Sequence, residues 1–175
     1  MGSRKLKSPK GMNVRPTPGR VKESLFSILQ PRIDGSRFLD LYAGTGAIGF
    51  EAASRGAEKV VSVEGHRETA EAIREAAGQF GVDDRVEVIA APVDRALYRL
   101  EGEFDIVYAD PPYADEMPMQ MFRLLLERKL LAEDALVIFE HGARTILPEI
   151  PGYRSVREEV YGDVALAFFT PSGRP

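Results

Sequence analysis

Short apolar segments alternate with helical segments along most of this chain, and this alternation constrains the fold more than any other feature. Branched and aromatic residues predict five buried strands, which cover residues 37–41, 59–64, 86–90, 104–109 and 135–140. Apolar residues at helical spacing predict the intervening helices. These lie at about 47–55, between the second strand and Phe80, at about 95–100 and at 117–131. Strands joined by helices pair in parallel, and the helices cover both faces of the sheet.

The two ends of this pattern differ from its middle. Before the first strand, Thr17 as N-cap and Pro18 as first helical residue predict a helix that Pro31 and Gly35 end. After the last, residues 154–161 and 164–170 flank a Gly-Asp turn and predict a hairpin. We therefore expect a single α/β domain with a mostly parallel seven-stranded sheet, a C-terminal antiparallel hairpin and helices on both faces.

Composition and charge narrow the function classes. The 175 residues include no Cys, which excludes disulfides, zinc–thiolate sites and a cysteine nucleophile. The net charge of −4 conceals a basic segment, since residues 1–22 carry seven Lys and Arg side chains and no acid, leaving −11 on the remainder. Such a segment is either a solvated terminus or a nucleic-acid contact. No apolar run reaches the ~18 residues that span a bilayer, so we expect a cytoplasmic protein with no membrane contact.

A glycine turn follows the first predicted strand. Gly44, Gly46 and Gly49 spell G-x-G-x-x-G, and Glu64 lies 20 residues beyond Gly44. Both features also match the dinucleotide fingerprint, so the spacing alone leaves a nicotinamide cofactor open. Asp40 favours another ligand, because a carboxylate beside the turn disfavours a pyrophosphate and pairs well with an ammonium group. The turn therefore indicates S-adenosylmethionine, which has ribose, adenine and a cationic amino acid and has no phosphate.

The fourth predicted strand ends in Asp110-Pro111-Pro112-Tyr113. Successive prolines make a stiff bend with free carbonyl groups. An exocyclic amino group fits such a bend, with one hydrogen bonded to the Asp110 carboxylate and the other to the Pro111 carbonyl. Tyr113 can stack on the ring that carries the amine. The tetrad therefore predicts a site for a nucleobase amino group.

Together, residues 40–46 and 110–113 resemble motifs I and IV of the amino-group methyltransferases. Residues 15–26 resemble the entry helix of the RsmD family, which methylates guanine N2 in 16S ribosomal RNA, and Phe139-Glu140-His141 and Tyr161-Gly162-Asp163 resemble its later signatures. The resemblance implies a Rossmann-like class I methyltransferase domain at 17–175 after a basic arm at 1–16. It also implies methyl transfer from S-adenosylmethionine to the N2 of a guanine in small-subunit (16S) ribosomal RNA.

The resemblance and the motifs assign roles to three sets of residues. The catalytic set is Asp110, Pro111, Pro112 and Tyr113. The cofactor-binding set is Asp40, Tyr42, Ala43, Gly44, Gly46, Glu64 and Asp94. The RNA-binding set is Arg4, Lys5, Lys7, Lys10, Arg15 and Arg20. We expect no metal, a structural role for His141, a monomer, and ribosomal RNA within a small-subunit particle as the partner.

Three alternatives remain open at this point. An adenine-N6 methyltransferase acting on DNA or RNA shares both motifs, although 175 residues leave little room for a DNA target-recognition region. An NAD-dependent oxidoreductase fits the glycine spacing but leaves Asp40 and the tetrad unexplained. A non-catalytic RNA-binding module explains the basic arm and has no use for a cofactor turn.

Overall fold

The computed structural model describes residues 18–112 and 116–173. Within these ranges the chain forms five helices: α1 (Gly19–Ile33), α2 (Ala47–Ser54), α3 (Arg67–Phe80), α4 (Val93–Arg99) and α5 (Met119–Glu127). It also forms seven strands: β1 (Arg37–Leu41), β2 (Lys59–Glu64), β3 (Val86–Ala90), β4 (Phe104–Ala109), β5 (Leu131–Gly142), β6 (Tyr153–Tyr161) and β7 (Val164–Pro171).

The seven strands form one sheet in the order β3-β2-β1-β4-β5-β7-β6. The first five strands pair in parallel, and β7 lies antiparallel to both β5 and β6. The predicted mostly parallel sheet with a C-terminal antiparallel hairpin is therefore confirmed. The hairpin closes one edge with β6, whose partner β7 lies inside the sheet.

Successive strand residues face opposite sides of the sheet and form two hydrophobic cores. Leu39 and Val107 belong to the core beneath α4 and α5, whereas Phe38 and Ile106 belong to the core that α1 and α2 cover. Both faces are therefore buried, which explains why the central strands carry apolar residues on both faces instead of on one face only.

The boundaries of α1 differ from the prediction. Pro18 is the N-cap, and Thr17, the predicted N-cap, lies outside the described residues. Pro18 has an extended ψ of 138°, so its carbonyl accepts hydrogen bonds from the first turn while the residue itself stays outside the helix. The helix also runs past Pro31 to Ile33, because a proline in the last turn removes a single hydrogen bond and Ile33 is fully buried.

The boundaries of three later elements also differ from the prediction. Helix α5 ends at Glu127 instead of residue 131, and Lys129 has a left-handed φ of 54° that turns the chain. Strand β5 begins at Leu131 instead of residue 135, because Leu131 pairs with Phe104 of β4 across an irregular register. Helix α4 begins two residues before the predicted 95 and ends at Arg99.

The topology defines one crevice. From β1 the chain moves outward through β2 and β3, then returns to the other side of β1 with β4. Ligands of open α/β sheets bind at such a switch, beyond the carboxyl ends of the strands. The glycine turn after β1 and the Asp-Pro-Pro segment after β4 meet at this point. No helix in the described part of the chain is long and apolar enough to cross a membrane.

Candidate active site

A cavity of about 880 Å³ opens at the carboxyl ends of β1, β2, β4 and β5. Its volume lies within the ~300–1,000 Å³ typical of small-molecule sites. The glycine turn forms one side, and Asp110, Pro111 and Pro112 form another. The predicted cofactor and catalytic motifs, which are far apart in the sequence, therefore line a common space.

The cavity wall is strongly acidic. Six carboxyl side chains line it, which are Asp40, Glu64, Asp94, Asp110, Glu140 and Asp163. Among the described residues of the lining there is no Lys or Arg. A negative wall of this kind attracts a cation and repels phosphate. The lining therefore favours a cationic ligand over a dinucleotide with its pyrophosphate.

The glycine turn packs tightly against α2 and α3, and α2 packs tightly against β2. A Cβ at Gly46 would lie 2.9 Å from both Ile73 Cγ2 and Phe50 Cε2, and Gly46 has a left-handed φ of 78°. A Cβ at Gly49 would lie 2.8 Å from Ser62 Oγ. These two glycines are therefore required by packing within the protein, in addition to any approach of a ligand to the backbone.

Asp40 lies at the floor of the cavity and is 1% exposed. One carboxylate oxygen accepts a hydrogen bond from the Gly49 N–H at 3.2 Å. The pKa of Asp40 is raised to about 8, mainly by burial and to a smaller extent by the carboxylates of Asp110 and Glu64, against the lowering effect of the Gly49 N–H. A cation in the cavity would stabilise the ionised form of Asp40 and lower this pKa.

Glu64 is held in place by two backbone amides. Its Oε2 accepts the Gly44 N–H at 2.8 Å and its Oε1 accepts the His66 N–H at 3.0 Å. A carboxylate has about four lone-pair sites, so each oxygen retains capacity for a second donor. The side chain is fixed in orientation and still able to accept hydroxyl groups from the cavity.

Two other predicted cofactor residues lie close together. Tyr42 directly follows β1 with a positive φ of 59°, a conformation that costs energy for a residue with a side chain and is often found at functional sites. Burial raises the pKa of its hydroxyl, and the carboxylate of Asp94 raises it further. Asp94 lies in the first turn of α4, where its charge acts on the Tyr42 hydroxyl, and both residues line the cavity.

The predicted catalytic tetrad is described as far as Pro112. Asp110 is half-buried, Pro111 is buried and Pro112 is exposed, so the segment runs from the sheet to the surface along the cavity. Tyr113 lies outside the described residues, and its predicted stacking role stays a prediction.

Two buried polar side chains at this site were not predicted. The hydroxyl of Tyr108 on β4 donates a hydrogen bond to a carboxylate oxygen of Glu140 on β5, and both line the cavity. In the sequence Phe-Asp-Ile-Val-Tyr-Ala, Tyr108 looks like one more core residue of a buried strand. Only the β4–β5 register brings it close to Glu140. The signal in the sequence is the motif Phe139-Glu140-His141, which contains Glu140 but gives no indication of Tyr108.

His141 has a packed environment at the same strand end. Its ring stacks on Phe139 with centroids 5.6 Å apart, and its Nδ1 lies 2.8 Å from the Gly142 carbonyl oxygen. It is 1% exposed, and its Nε2 lies 3.8 Å from Glu158 Oε1. These contacts fit the structural role that the sequence predicts.

The start of α1 and the β6–β7 turn form another wall of the cavity, through Pro18, Asp163 and Val164. The hydroxyls of Ser24 and Tyr161 are hydrogen-bonded and tie these two elements together. Of the predicted RNA-binding set, Arg20 lies here, exposed in the first turn of α1. The others, Arg4, Lys5, Lys7, Lys10 and Arg15, lie outside the described residues.

Comparison with known proteins gives the family of this chain. The family model described as Conserved hypothetical protein 95 matches residues 1–170. The ribosomal RNA small subunit methyltransferase D of Escherichia coli is 32% identical over 167 residues, covering 95% of this chain and 84% of that protein. The enzyme of the same name from Haemophilus influenzae is 36% identical over 169 residues, covering 95% and 88%.

The chain belongs to the RsmD family. This confirms the resemblance drawn from the sequence, and as a member of this family the chain is a methyltransferase. Solved structures agree with the fold. The Escherichia coli protein yhhF superposes with a TM-score of 0.86 at 29% identity, covering 98% of this chain and 93% of its own. A Streptococcus pyogenes protein superposes with a TM-score of 0.79 at 31% identity, covering 86% and 95%.

Proposed function

We propose that this RsmD-family chain transfers a methyl group from S-adenosylmethionine to the exocyclic N2 of a guanine in small-subunit (16S) ribosomal RNA. One observation carries the proposal: the glycine turn and the Asp110-Pro111 bend line the same acidic cavity, whose described lining has no Lys or Arg. The names of the two curated relatives support ribosomal RNA as the substrate. A cytoplasmic monomer that acts on a small-subunit particle is consistent with that substrate.

The residues of the cavity fit S-adenosylmethionine. Asp40 and its neighbouring carboxylates suit the ammonium group, because a cation there compensates their mutual repulsion. Glu64 retains acceptor capacity for the ribose hydroxyls. Asp94, near Tyr42 on the far side, suits the adenine amino group. When bound, S-adenosylmethionine supplies a methyl carbon that its sulfonium has already activated.

The task of the protein is then to align and activate the amino nitrogen. The lone pair of a guanine amino group is delocalised into the ring. Hydrogen bonds from its two protons to the Asp110 carboxylate and the Pro111 carbonyl return electron density to nitrogen and favour tetrahedral geometry. The nitrogen becomes strongly acidic only on methylation, so Asp110 accepts its proton late and no strong base acts beforehand. Alignment and electrostatics of this kind supply several kcal/mol.

Access to this bend requires an unstacked base. A base that is stacked within a helix cannot enter the cavity and bring its amino group to Asp110 and Pro111, so the target guanine must leave its stack. The basic arm, including Arg15 and the neighbouring Arg20, provides phosphate contacts for the surrounding RNA.

The arm can be tested separately from the chemistry. Deletion of residues 1–14 removes four basic side chains, Arg4, Lys5, Lys7 and Lys10. We expect weaker RNA binding, with the slope of log K against log salt reduced by up to about three. Fluorescence anisotropy over a salt series measures both quantities, and an unchanged affinity across the series would remove the arm from RNA binding.

The proposal as a whole is tested by identifying the nucleoside that receives the methyl group. Tritium-labelled S-adenosylmethionine is incubated with the full chain and either unmodified small-subunit RNA or assembled small-subunit particles, and the labelled nucleosides are separated. The expected product is N2-methylguanosine. Labelled N6-methyladenosine would overturn the guanine assignment in favour of the adenine alternative, and absence of label from both substrates would overturn the proposal.

A further inference from the structure

Glu140 occupies a specific position relative to the proposed amine site. In the β4–β5 register, Tyr108 pairs with Ile138 and Ala109 pairs with Phe139. Asp110 directly follows this last pair on the β4 side and Glu140 directly follows it on the β5 side, and both line the cavity. Residues two apart share a face of a strand, so Glu140 lies on the same side of the sheet as Tyr108, in the wall of the cavity that Asp110 also lines.

The Glu140 carboxyl group is buried and oriented. It is 8% exposed, and it accepts a hydrogen bond from the hydroxyl of Tyr108, which is 1% exposed. A buried carboxylate is costly unless hydrogen bonds compensate it, and an apolar residue at the end of β5 would avoid that cost. The proposed mechanism gives Glu140 no role, so the presence of a buried carboxyl group at this position needs a separate explanation.

The chemistry of the guanine edge provides one. Beside the N2 amino group, guanine carries a second donor, the N1–H, whereas adenine carries an unprotonated N1 that accepts. A carboxylate accepts hydrogen bonds only, and a charge-assisted bond of this type is stronger than a neutral one. Enzymes that act on extruded bases read them by hydrogen bonds to this edge.

We propose that Glu140 accepts the N1–H of the target guanine and that Tyr108 positions its carboxylate for this contact. Glu140 is then the residue that selects guanine over adenine, while Asp110 and Pro111 hold the amine. This inference rests on the proposed function, since it names the group that determines the base on which that reaction occurs.

The contribution of the N1–H contact to the preference for guanine can be estimated and measured. A site built to accept a substrate N–H discriminates strongly against an analogue that lacks it, because the buried acceptor then lacks its partner. For a single charge-assisted contact we expect kcat/KM to fall by roughly 10- to 100-fold when the N1–H is removed.

The test uses 2-aminopurine, which keeps the 2-amino group and has an unprotonated N1. The shortest RNA that the full chain methylates is prepared with guanine or with 2-aminopurine at the methylated position. We expect wild type to prefer the guanine RNA by the factor above. Glu140→Gln should reduce this preference, since its amide can donate to the unprotonated N1, and Tyr108→Phe should give an intermediate ratio. Glu133→Gln, an exposed substitution at the opposite end of β5, is the matched control and should match wild type.

The outcomes separate this inference from the proposed function. If wild type methylates guanine and 2-aminopurine RNAs equally well, Glu140 does not read N1, and this result needs no variant to fold. If Glu140→Gln and Tyr108→Phe methylate guanine RNA with the wild-type preference intact, the pair serves only to hold β4 against β5. If no RNA guanine is methylated by wild type, the proposed function fails first and this inference fails with it.

Discussion

The acidic side chains at the two ends of the sheet have different surroundings. At the amino end, acids have local partners: Asp105 accepts the Arg37 backbone N–H at 2.8 Å, and Asp134 lies 3.7 Å from Arg32. At the carboxyl end, Asp40 and Glu64 also accept backbone N–H groups, but like charges gather there, and the carboxylates of Asp110 and Glu64 help to raise the pKa of Asp40. An arrangement that leaves like charges together is expected where a ligand supplies the opposite charge. The comparison therefore separates acids that stabilise the fold from acids available to a ligand.

The largest effect should come from Asp110 at the carboxyl end. Asp110→Ala removes the acceptor that draws density onto the amino nitrogen, and we expect kcat to fall by about 10²–10³-fold. S-adenosylmethionine affinity, measured by calorimetry, should change little. Single-turnover methyl transfer gives the rate, and turnover at the wild-type rate would remove Asp110 from the mechanism.

A matched pair of substitutions compares the two ends directly. Glu64→Gln loses a charge and the acceptor for one of the two backbone amides at the carboxyl end, so S-adenosylmethionine should bind roughly 10- to 100-fold more weakly. Asp105→Asn makes the same chemical change at the amino end, where it weakens one bond to Arg37.

For Asp105→Asn we expect unchanged affinity for S-adenosylmethionine and a free energy of unfolding lower by about 1 kcal/mol or less. Calorimetry and urea denaturation measure the two quantities on the same samples. Equal losses of affinity in both variants would abolish the distinction between the ends.

The remaining prediction concerns the pH dependence of stability. The pKa of Asp40 is raised from 3.8 to about 8 in the folded protein, so between these values the folded state binds a proton that the unfolded state has released. The contribution of Asp40 is therefore full below pH 4 and is lost as pH rises towards 8, by at most about 1.4 kcal/mol per pH unit.

Denaturant titrations of the ligand-free protein at intervals from pH 5 to 9 measure this dependence. Asp40→Asn has no proton to release and should show a flatter profile over that range. Parallel profiles for the two proteins would mean that Asp40 ionises normally in the folded state.

Much of the fold could be predicted because its signals are local. The bounds of β1, β2, β3 and β4 agree with the runs of branched and aromatic residues that predict them, because such residues are enriched in strands. The start of β5 was wrong because it depends on pairing between Leu131 and Phe104, which no local pattern in the sequence encodes.

The site divides in the same way. The glycine turn and the Asp-Pro-Pro segment follow strands directly, so their meeting at the switch point could be deduced from chain order. Tyr108 and Glu140 meet only through register between strands, and the burial of Asp40 beneath the turn depends on α2 packing above it. Sequence patterns locate strand ends but give no distances between side chains on different strands.

The central claim is that the carboxyl end of the sheet binds a cationic methyl donor. Calorimetric titration of the full chain with S-adenosylmethionine and, separately, with NAD tests it most directly. We predict saturable binding of S-adenosylmethionine at one site, weakened by Glu64→Gln, and no detectable heat with NAD. Binding of NAD with comparable affinity, or no binding of S-adenosylmethionine, would contradict the claim.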